Sequence, residues 1–285
     1  MLRPELHQAN RRSWNVATAA HNLHKRDQAG FLRAGGSTLF PEELELLGDV
    51  CGLSVAHLLC NSGQDTLSLA RLGAQATGVD ISDEAVACAR ELSRAAGLPA
   101  VFERADVYDW LAATTVTPRR FDVAFCSYGA LCWLSDLPIF ARGVASILKP
   151  GGRFACVEFH PDVALLDEDG RPLGAAARDG EALAWPEGVA DYVGAAGGAL
   201  SPSGHAAGGE PYRNPHPAYE FVHGLAEIVQ AFVDAGLVLR TLREWPYANG
   251  CRLFKDMREL PGERWRTGES LPAIPLMYGM VVQRG

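Results

Sequence analysis

An acid and a histidine stand two residues apart near the end of one strand-like segment, where they could act together in proton transfer. The segment, residues 153–160, reads RFACVEFH, and side chains two apart on a strand point to the same face. Glu158 could raise the basicity of the His160 imidazole and fix its tautomer. That pair would give a general base for a hydroxyl, an amine or an acidic carbon. The alternative is that His160 and Pro161 merely end the strand.

A second stretch, residues 55–80, has the pattern of a nucleotide-binding βαβ unit. An apolar run enters a tight polar turn at residues 60–63, a helical pattern follows, and a second apolar run ends at Asp80. In such a unit the turn lets a ligand approach backbone N–H groups at a helix N-terminus. The acid that ends the second strand can accept hydrogen bonds from both ribose hydroxyls. The alternative for Asp80 is a cap of the next helix, a task that Ser82 already fills.

The elements that position these side chains alternate between strand and helix. After Asp80, helices are predicted at 83–96, 108–113 and 136–148, with strands at 100–104, 121–127 and 153–160 between them. Apolar strands flanked by helices indicate a parallel sheet that is covered on both faces. Ser127, Tyr128 and Gly129 then fall at the carboxyl edge of the sheet, where open α/β sheets bind their ligands.

Length and charge favour a globular protein with a small-molecule partner. The chain has 285 residues, and 48% of them are hydrophobic, which is enough to fill a substantial core. Its 34 acidic and 26 basic residues give a net charge of -8, which provides no electrostatic footprint for nucleic acid.

Cysteine usage and hydropathy bear on the compartment. Seven cysteines without a CxxC pair favour reduced thiols over a zinc site or a disulfide framework. The first residues lack the apolar core of a signal peptide, and no run approaches the ~18 apolar residues of a membrane span. We therefore expect a cytoplasmic protein that does not bind membranes.

The alternation of strands and helices breaks between residues 161 and 222. This segment holds 10 of the 30 glycines and 7 of the 17 prolines, which indicates a loop-rich insertion after the fifth strand. An amphipathic helix and two further strands follow it, and a helical preamble precedes the first strand.

The order of these motifs resembles a class I S-adenosylmethionine-dependent methyltransferase of the bacterial small-molecule branch. The likeness covers residues 50–160 and rests on the unit that ends at Asp80, on Ala105-Asp106, on FDVAFCSYG and on LKPGG before a strand. It implies a doubly wound, Rossmann-like α/β fold with a seven-stranded sheet whose last strand is antiparallel. It also implies S-adenosyl-L-methionine as cofactor and methyl transfer to an O, N or C nucleophile of a small molecule.

The first turn departs from the family pattern D-x-G-x-G-x-G. The matching positions are His57, Leu59, Asn61 and Gly63, so only the last glycine is kept. Asn61 could still hold the turn, because asparagine tolerates positive φ better than other non-glycine residues, while Leu59 would narrow the space beneath a ligand. The alternative is that the pocket has decayed and that the turn is ordinary.

Two further functions could use the same fold. A NAD-dependent oxidoreductase would need all three glycines for its pyrophosphate, and this turn lacks two of them. A non-catalytic S-adenosylmethionine-binding protein would tolerate the lost glycines. A P-loop is excluded, because no Gly-Lys-Ser/Thr follows the first strand. A sulfonium cofactor suits the acids at the strand ends, since it needs no Lys or Arg to balance a phosphate.

The resemblance assigns candidate roles to three groups of residues. Methyl transfer depends mainly on proximity and orientation, with general-base help from His160, Glu158 or Tyr128. Cofactor contacts are expected from the first turn, the strand ends and their neighbours: Cys60, Asn61, Ser62, Gly63, Asp65, Thr66, Asp80, Ile81, Asp106, Val107 and Ser127. Acceptor contacts are expected from aromatic and histidine side chains: Trp14, His21, Tyr128, Trp133, Tyr192, His216 and Tyr219. No metal site is expected. Simple core packing remains an alternative for Trp133, and an exposed loop acid remains one for Asp106.

The predicted organisation has four parts. Residues 1–48 form a helical lid, 49–160 the S-adenosylmethionine-binding core, 161–222 a substrate-side insertion and 223–285 the C-terminal part of the core. Trp14 and His21 could close over the cofactor as part of the lid. The competing interpretation is that the preamble forms the contact of a homodimer.

Overall fold

The computed structural model describes residues 1–173, 182–208 and 211–285. Its helices are α1 (Pro4–Leu23), α2 (Gln28–Arg33), α3 (Pro41–Leu47), α4 (Gln64–Arg71), α5 (Asp83–Ala96), α6 (Val107–Thr115), α7 (Leu137–Ile147), α8 (Tyr192–Ala196) and α9 (Leu225–Asp234). Its strands are β1 (Ser54–Leu58), β2 (Gln75–Asp80), β3 (Val101–Arg104), β4 (Phe121–Ser127), β5 (Leu148–Phe159), β6 (Ala182–Trp185), β7 (Ala218–Phe221), β8 (Leu237–Trp245), β9 (Ala248–Asn249), β10 (Met257–Leu260), β11 (Arg264–Thr267) and β12 (Met277–Arg284).

A seven-stranded sheet in the order β3-β2-β1-β4-β5-β12-β8 organises the molecule. β1 to β5 pair in parallel, and β12 is antiparallel to both of its neighbours. This confirms the predicted Rossmann-like sheet with an antiparallel last strand. Because the five parallel strands all end at the same edge, the polar residues that follow them are gathered there.

Apolar runs bury both faces of the sheet, as their near-continuous hydrophobicity predicts. Residues 123–126 of β4 and 154–157 of β5 are fully buried. Helices α6, α7 and α9 pack on one face, while α3 and α4 pack on the other. Ser82 caps the start of α5, where its hydroxyl accepts the Ala85 N–H, and Gly97 caps the end in the left-handed conformation.

Several elements differ from the predicted ones. β5 begins at Leu148 and so includes the LKPGG turn, and it ends at Phe159, which leaves His160 just beyond the strand. The segment 161–222 contains the antiparallel pair β6–β7 and the helix α8, although residues 174–181 and 209–210 of it lie outside the described ranges. A small sheet in the order β10-β11-β9 was not predicted at all.

The preamble, which comprises α1 to α3 before β1, lies over the carboxyl edge of the large sheet. α1 packs against α5 and against β7 of the insertion. Among the helices in the described ranges, none is both long enough and apolar enough to cross a membrane.

Candidate active site

A cavity of about 1100 Å³ opens at the carboxyl edge of the parallel strands. Its floor is formed by residues that end β1, β2, β4 and β5, and its walls come from α1, α3, α8 and β7. A pocket for one small molecule typically measures ~300–1000 Å³. This cavity is therefore large enough for two ligands side by side.

The turn after β1 adopts the left-handed backbone conformation at the three positions where the family pattern has glycine. φ is 54° at Leu59, 47° at Asn61 and 77° at Gly63. The Asn61 side chain supports the turn locally, since its Oδ1 accepts the Ser62 N–H at 2.7 Å. As expected, asparagine tolerates the conformation, and Leu59 does so as well. Leu59 lines the cavity, so it takes up space beneath a ligand.

Asp80 ends β2, and its carboxylate bonds to the backbone of the turn that follows β1. Its Oδ2 accepts the Asn61 N–H and its Oδ1 accepts the Ser82 N–H, each at 2.8 Å. Burial raises the pKa of Asp80 to about 6, although the two N–H donors oppose that shift. Asp80 lines the cavity and keeps lone pairs free for hydroxyl donors of a ligand.

Asp106, after β3, is bridged to the preamble. Its Oδ1 accepts the Tyr108 N–H at 3.0 Å, and its Oδ2 lies 2.8 Å from Nδ1 of His7 on α1. The His7 ring stacks on Tyr108 at 5.3 Å, and its Nε2 lies 2.8 Å from the Ser135 hydroxyl. The exposed-acid alternative for Asp106 is therefore wrong, because α1 covers this carboxylate.

His57, at the position of the family acid, is buried beneath the turn. Its Nδ1 lies 2.8 Å from the Thr66 hydroxyl, and burial lowers the pKa of His57 to about 4, so the ring is neutral at pH 7. Thr66, Ser62 and Gly63 lie outside the cavity wall, behind the residues that line it. Of the turn, Leu59, Cys60 and Asn61 face the cavity.

Glu158 and His160 do not form the predicted pair. The Glu158 carboxylate instead accepts the backbone N–H groups of Gly129, Ala130 and Leu131, the last two at 2.8 and 2.9 Å. Burial raises the pKa of Glu158 to about 7 despite these three donors. His160 lies beyond the end of β5, and its Nε2 is 3.0 Å from Oε1 of Glu244. The carboxylate beside the imidazole thus belongs to Glu244 of β8, which no sequence spacing relates to His160.

Tyr128 follows β4 with a strained φ of 36°. Its hydroxyl oxygen accepts Nδ2–H of Asn249 at 2.7 Å, and its ring lies 5.9 Å from Phe40. Glu158 accepts the N–H groups of the next three residues, and Asn249 bonds the hydroxyl. Tyr128 is therefore fixed at its backbone and at the tip of its side chain. Tyr128 and Ser127 both line the cavity.

An aromatic cluster forms the far wall of the cavity. The Trp14 ring lies 5.4 Å from Trp133 and 6.4 Å from Tyr192, in both cases edge to face. His21 packs 4.3 Å from Tyr192, and its Nε2 lies 2.9 Å from the carbonyl oxygen of Ala190. Burial lowers the pKa of His21 to about 4, so this wall carries no charge at pH 7.

The chain matches known proteins along the part that forms the cavity floor. A family model described as a methyltransferase domain matches residues 55–152. A ubiquinone biosynthesis O-methyltransferase from Xanthomonas euvesicatoria pv. vesicatoria (strain 85-10) is 36% identical over 118 residues, which are 40% of this chain and 48% of that protein. One from Proteus mirabilis (strain HI4320) is 33% identical over 101 residues, 35% of this chain and 40% of that protein. Residues 55–152 are thus similar to a methyltransferase domain.

Solved structures agree with the fold of this chain. One is the structure of an S-adenosylmethionine-dependent methyltransferase from Listeria monocytogenes. The superposition covers 86% of this chain and 96% of that protein, with a TM-score of 0.56 and 15% identity. One from Mesorhizobium loti covers 88% and 99%, with a TM-score of 0.51 and 18% identity. The chain spans about half or less of the length of the curated relatives that it matches, so their activity does not transfer directly.

Most of the predicted site residues meet in one cavity. Beside those already placed, Asp65, Ile81 and Val107 line it. His216 and Tyr219 lie outside its wall: the Asn10 side chain bonds both the N–H and the carbonyl oxygen of Tyr219, and the His216 N–H donates to Asn214.

The cavity residues that were not predicted include three charged or titratable ones from the preamble, His7, Lys25 and Glu43. Glu43 lies in the first turn of α3, where an acid is expected for the helix dipole alone. His7 and Lys25 belong to a polar preamble whose pattern carries no signal for a site. Only the packing of the preamble over the sheet edge brings them to the cavity.

Proposed function

We propose that this chain uses S-adenosyl-L-methionine to methylate a small, partly apolar acceptor. The observation that carries the proposal is the single cavity that joins two unlike halves. One half holds Asp80, Asp106 and the turn after β1, and the other is the uncharged aromatic wall around Trp14. The first half suits a nucleoside with a sulfonium group, and the second suits an apolar or aromatic acceptor.

The side chains present fit this cofactor in charge and in hydrogen bonding. Asp65, Asp80 and Asp106 line the cavity, whereas Lys25 is the one Lys or Arg among the described lining residues. Such a balance favours a cationic ligand over a pyrophosphate, which would need positive charge and three glycines in the turn. Asp80 would accept the ribose hydroxyls, and Asp106 with His7 would border the base.

The bound cofactor supplies an activated methyl group, so the protein has chiefly to position the acceptor and exclude water. The aromatic wall would hold the acceptor, with Trp14, Trp133 and Tyr192 covering its apolar faces. His21 is neutral and its Nε2 is occupied by Ala190, so its Nδ1 could accept a proton from an acceptor hydroxyl or amine.

Proton transfer by His160 and Glu158 would be indirect in this arrangement. Both ring nitrogens of His160 lie near partners, since Nε2 faces Glu244 and Nδ1 accepts the Asp162 N–H at 3.2 Å. Glu158 is engaged with the backbone of the 129–131 turn. We infer that Glu158 fixes the turn that positions Tyr128, and that the relatives, being O-methyltransferases by name, favour oxygen over nitrogen or carbon as the nucleophile.

The test is calorimetry followed by a transfer assay. S-Adenosylmethionine and S-adenosylhomocysteine should bind with micromolar or tighter affinity, and NAD should not bind. Radiolabelled methyl groups should then pass to members of a panel of phenols, hydroxy acids and amines. Failure of both sulfur compounds to bind would refute the proposal, and binding without transfer to any acceptor would support the non-catalytic alternative.

We also propose the cellular compartment, the division into parts and the oligomeric state that the sequence suggested. The seven cysteines are free, which suits a cytoplasmic protein. The division into a lid at 1–48, a core at 49–160, an insertion at 161–222 and a C-terminal part at 223–285 remains our prediction, as do a homodimer and the lack of nucleic-acid binding. Size-exclusion chromatography with light scattering would test the dimer, and deletion of residues 1–30 without loss of cofactor affinity would refute the lid.

A further inference from the structure

Two carboxylates lie at one end of the cavity, beyond the turn that follows β1. Glu43 of α3 is 1% exposed, and Asp65 stands in the first turn of α4. Both line the cavity together with Ser127 at the end of β4. Oε2 of Glu43 accepts the Phe40 N–H at 2.7 Å, and the Ser127 hydroxyl lies near the same carboxylate, but in the described part of the chain no donor has hydrogen-bond geometry to Oε1.

A buried carboxylate oxygen without a donor is costly, so its presence on a cavity wall indicates a donor that comes from a ligand. Burial and the neighbouring charge of Asp65 raise the pKa of Glu43 well above its usual range. In the described part of the chain, no Lys or Arg is among the groups that act on Glu43. An ammonium group would supply both the charge and up to three N–H donors.

The order of the strands shows which end of the cofactor reaches these carboxylates. Asp106 follows β3, Asp80 ends β2, the turn follows β1, and Ser127 ends β4, and these strands are neighbours in that order. With the base at Asp106 and the ribose at Asp80, the rest of the cofactor extends over the turn towards β4. Its amino-acid end then arrives at Asp65 and Glu43.

A cation stands on the other side of Asp65. Lys25, which follows α1, lines the cavity, and the charge of Asp65 acts on both Lys25 and Glu43. Burial lowers the pKa of Lys25 to about 8, and the charge of Asp65 only partly opposes that shift. The N-terminus of α4 lies beside it and favours an anion.

We propose that Glu43 and Asp65 bind the α-ammonium group of the cofactor's methionine, and that Lys25 binds its α-carboxylate. The proposal rests on the methyltransferase function proposed above and assigns two residues to it that lie outside the matched residues 55–152. The family acid at position 57 is here the neutral His57, and α3 supplies a carboxylate from another direction. The preamble would then bind the cofactor directly and would not only cover it.

Calorimetry with three thioethers tests each contact separately. S-Adenosylhomocysteine carries both charged groups, its decarboxylated form carries only the ammonium group, and 5′-deoxy-5′-methylthioadenosine carries neither. Glu43→Gln should weaken binding of the first two by about tenfold or more, as for a lost hydrogen bond to a charged group, and leave the third unchanged. Lys25→Met should weaken only the first.

Glu45→Gln is the matched control, because Glu45 lies on the same helix but is exposed and pairs with Arg243. It should change none of the three affinities. Glu43→Gln should also fold, since a glutamine oxygen can still accept the Phe40 N–H. Thermal unfolding of the variant would show this independently.

The outcomes separate this proposal from the proposed function. If the wild-type protein binds none of the thioethers, the methyltransferase proposal itself fails. If it binds all three equally well, the function stands and the assignment of Glu43 and Lys25 is overturned. Equal losses for all three ligands in Glu43→Gln would also overturn it, because Glu43 would then support the turn and not the ammonium group.

Discussion

Replacing Glu158 by glutamine tests which of two opposing effects on the buried Glu158 carboxylate is the larger. Three backbone N–H groups stabilise its charged form, and burial destabilises it. Burial prevails and raises the pKa from 4.5 to about 7. A carboxyl whose pKa is raised in the folded state stabilises the fold least when it is ionised, so the wild-type protein loses stability as the pH rises from 4.5 towards 7.

The size of the effect follows from the shift. At about 1.36 kcal/mol per pKa unit, ionising Glu158 costs the folded state about 3 kcal/mol relative to the unfolded chain. Glutamine does not titrate and keeps an oxygen that can accept two of the three N–H groups. The Glu158→Gln variant should therefore be close to the wild type in stability near pH 5 and more stable than it above pH 8.

The assay is guanidinium unfolding followed by circular dichroism at intervals from pH 5 to pH 8.5, for both proteins in one buffer series. The difference in unfolding free energy isolates Glu158, because Asp80 and Glu43, which titrate in the same direction, are present in both. A difference that stays constant with pH, or that favours the wild type increasingly as the pH rises, would refute the reasoning. A constant difference would mean that the three N–H donors balance burial, and a growing advantage of the wild type would mean that they outweigh it.

Three further predictions concern the turn, Asp80 and the preamble. Asn61→Ala should lower the unfolding free energy by about 1–2 kcal/mol more than Asn61→Gly, because only glycine accepts the left-handed conformation freely; equal losses in guanidinium unfolding would contradict this. S-Adenosylhomocysteine affinity, measured by calorimetry, should fall as the pH drops below about 6, where Asp80 takes up a proton, and Asp80→Asn should bind more weakly and lose this dependence. His7→Ala should speed hydrogen exchange in α1, because it removes the partner of Asp106 at 2.8 Å; unchanged exchange would show that other contacts hold the helix.

The fold of the core could be predicted because its strands are short apolar runs separated by well-marked helix ends. Ser82 and Gly97 bound α5 as their types suggest, and the apolar residues of β4 fill a strand that is buried on both faces. The sheet of β9, β10 and β11 was not predicted, because its strands are only two to four residues long and two of them carry arginine. Such strands are stabilised by what they pair with, which a local pattern does not contain.

Some residues of the candidate site could likewise be predicted from the sequence, and others could not. Asp80 and Ser127 were predictable, because the end of a parallel strand fixes which edge a residue reaches. The partner of His160 was not, since Glu244 lies 84 positions away on β8, which pairs with β12 and not with β5. Glu43 and His7 come to the cavity only through the packing of the preamble, and nothing in their own neighbourhoods marks them.

The backbone of the turn after β1 also bears on how chains with this fold are found. Leu59 and Asn61 hold the left-handed geometry that glycine usually provides. A search that demands the glycine letters would pass over this chain, whereas one that demands three successive alternate positions at positive φ, followed by an acid at the end of the next strand, would retrieve it. Dihedral angles therefore define this turn more broadly than its residue pattern does.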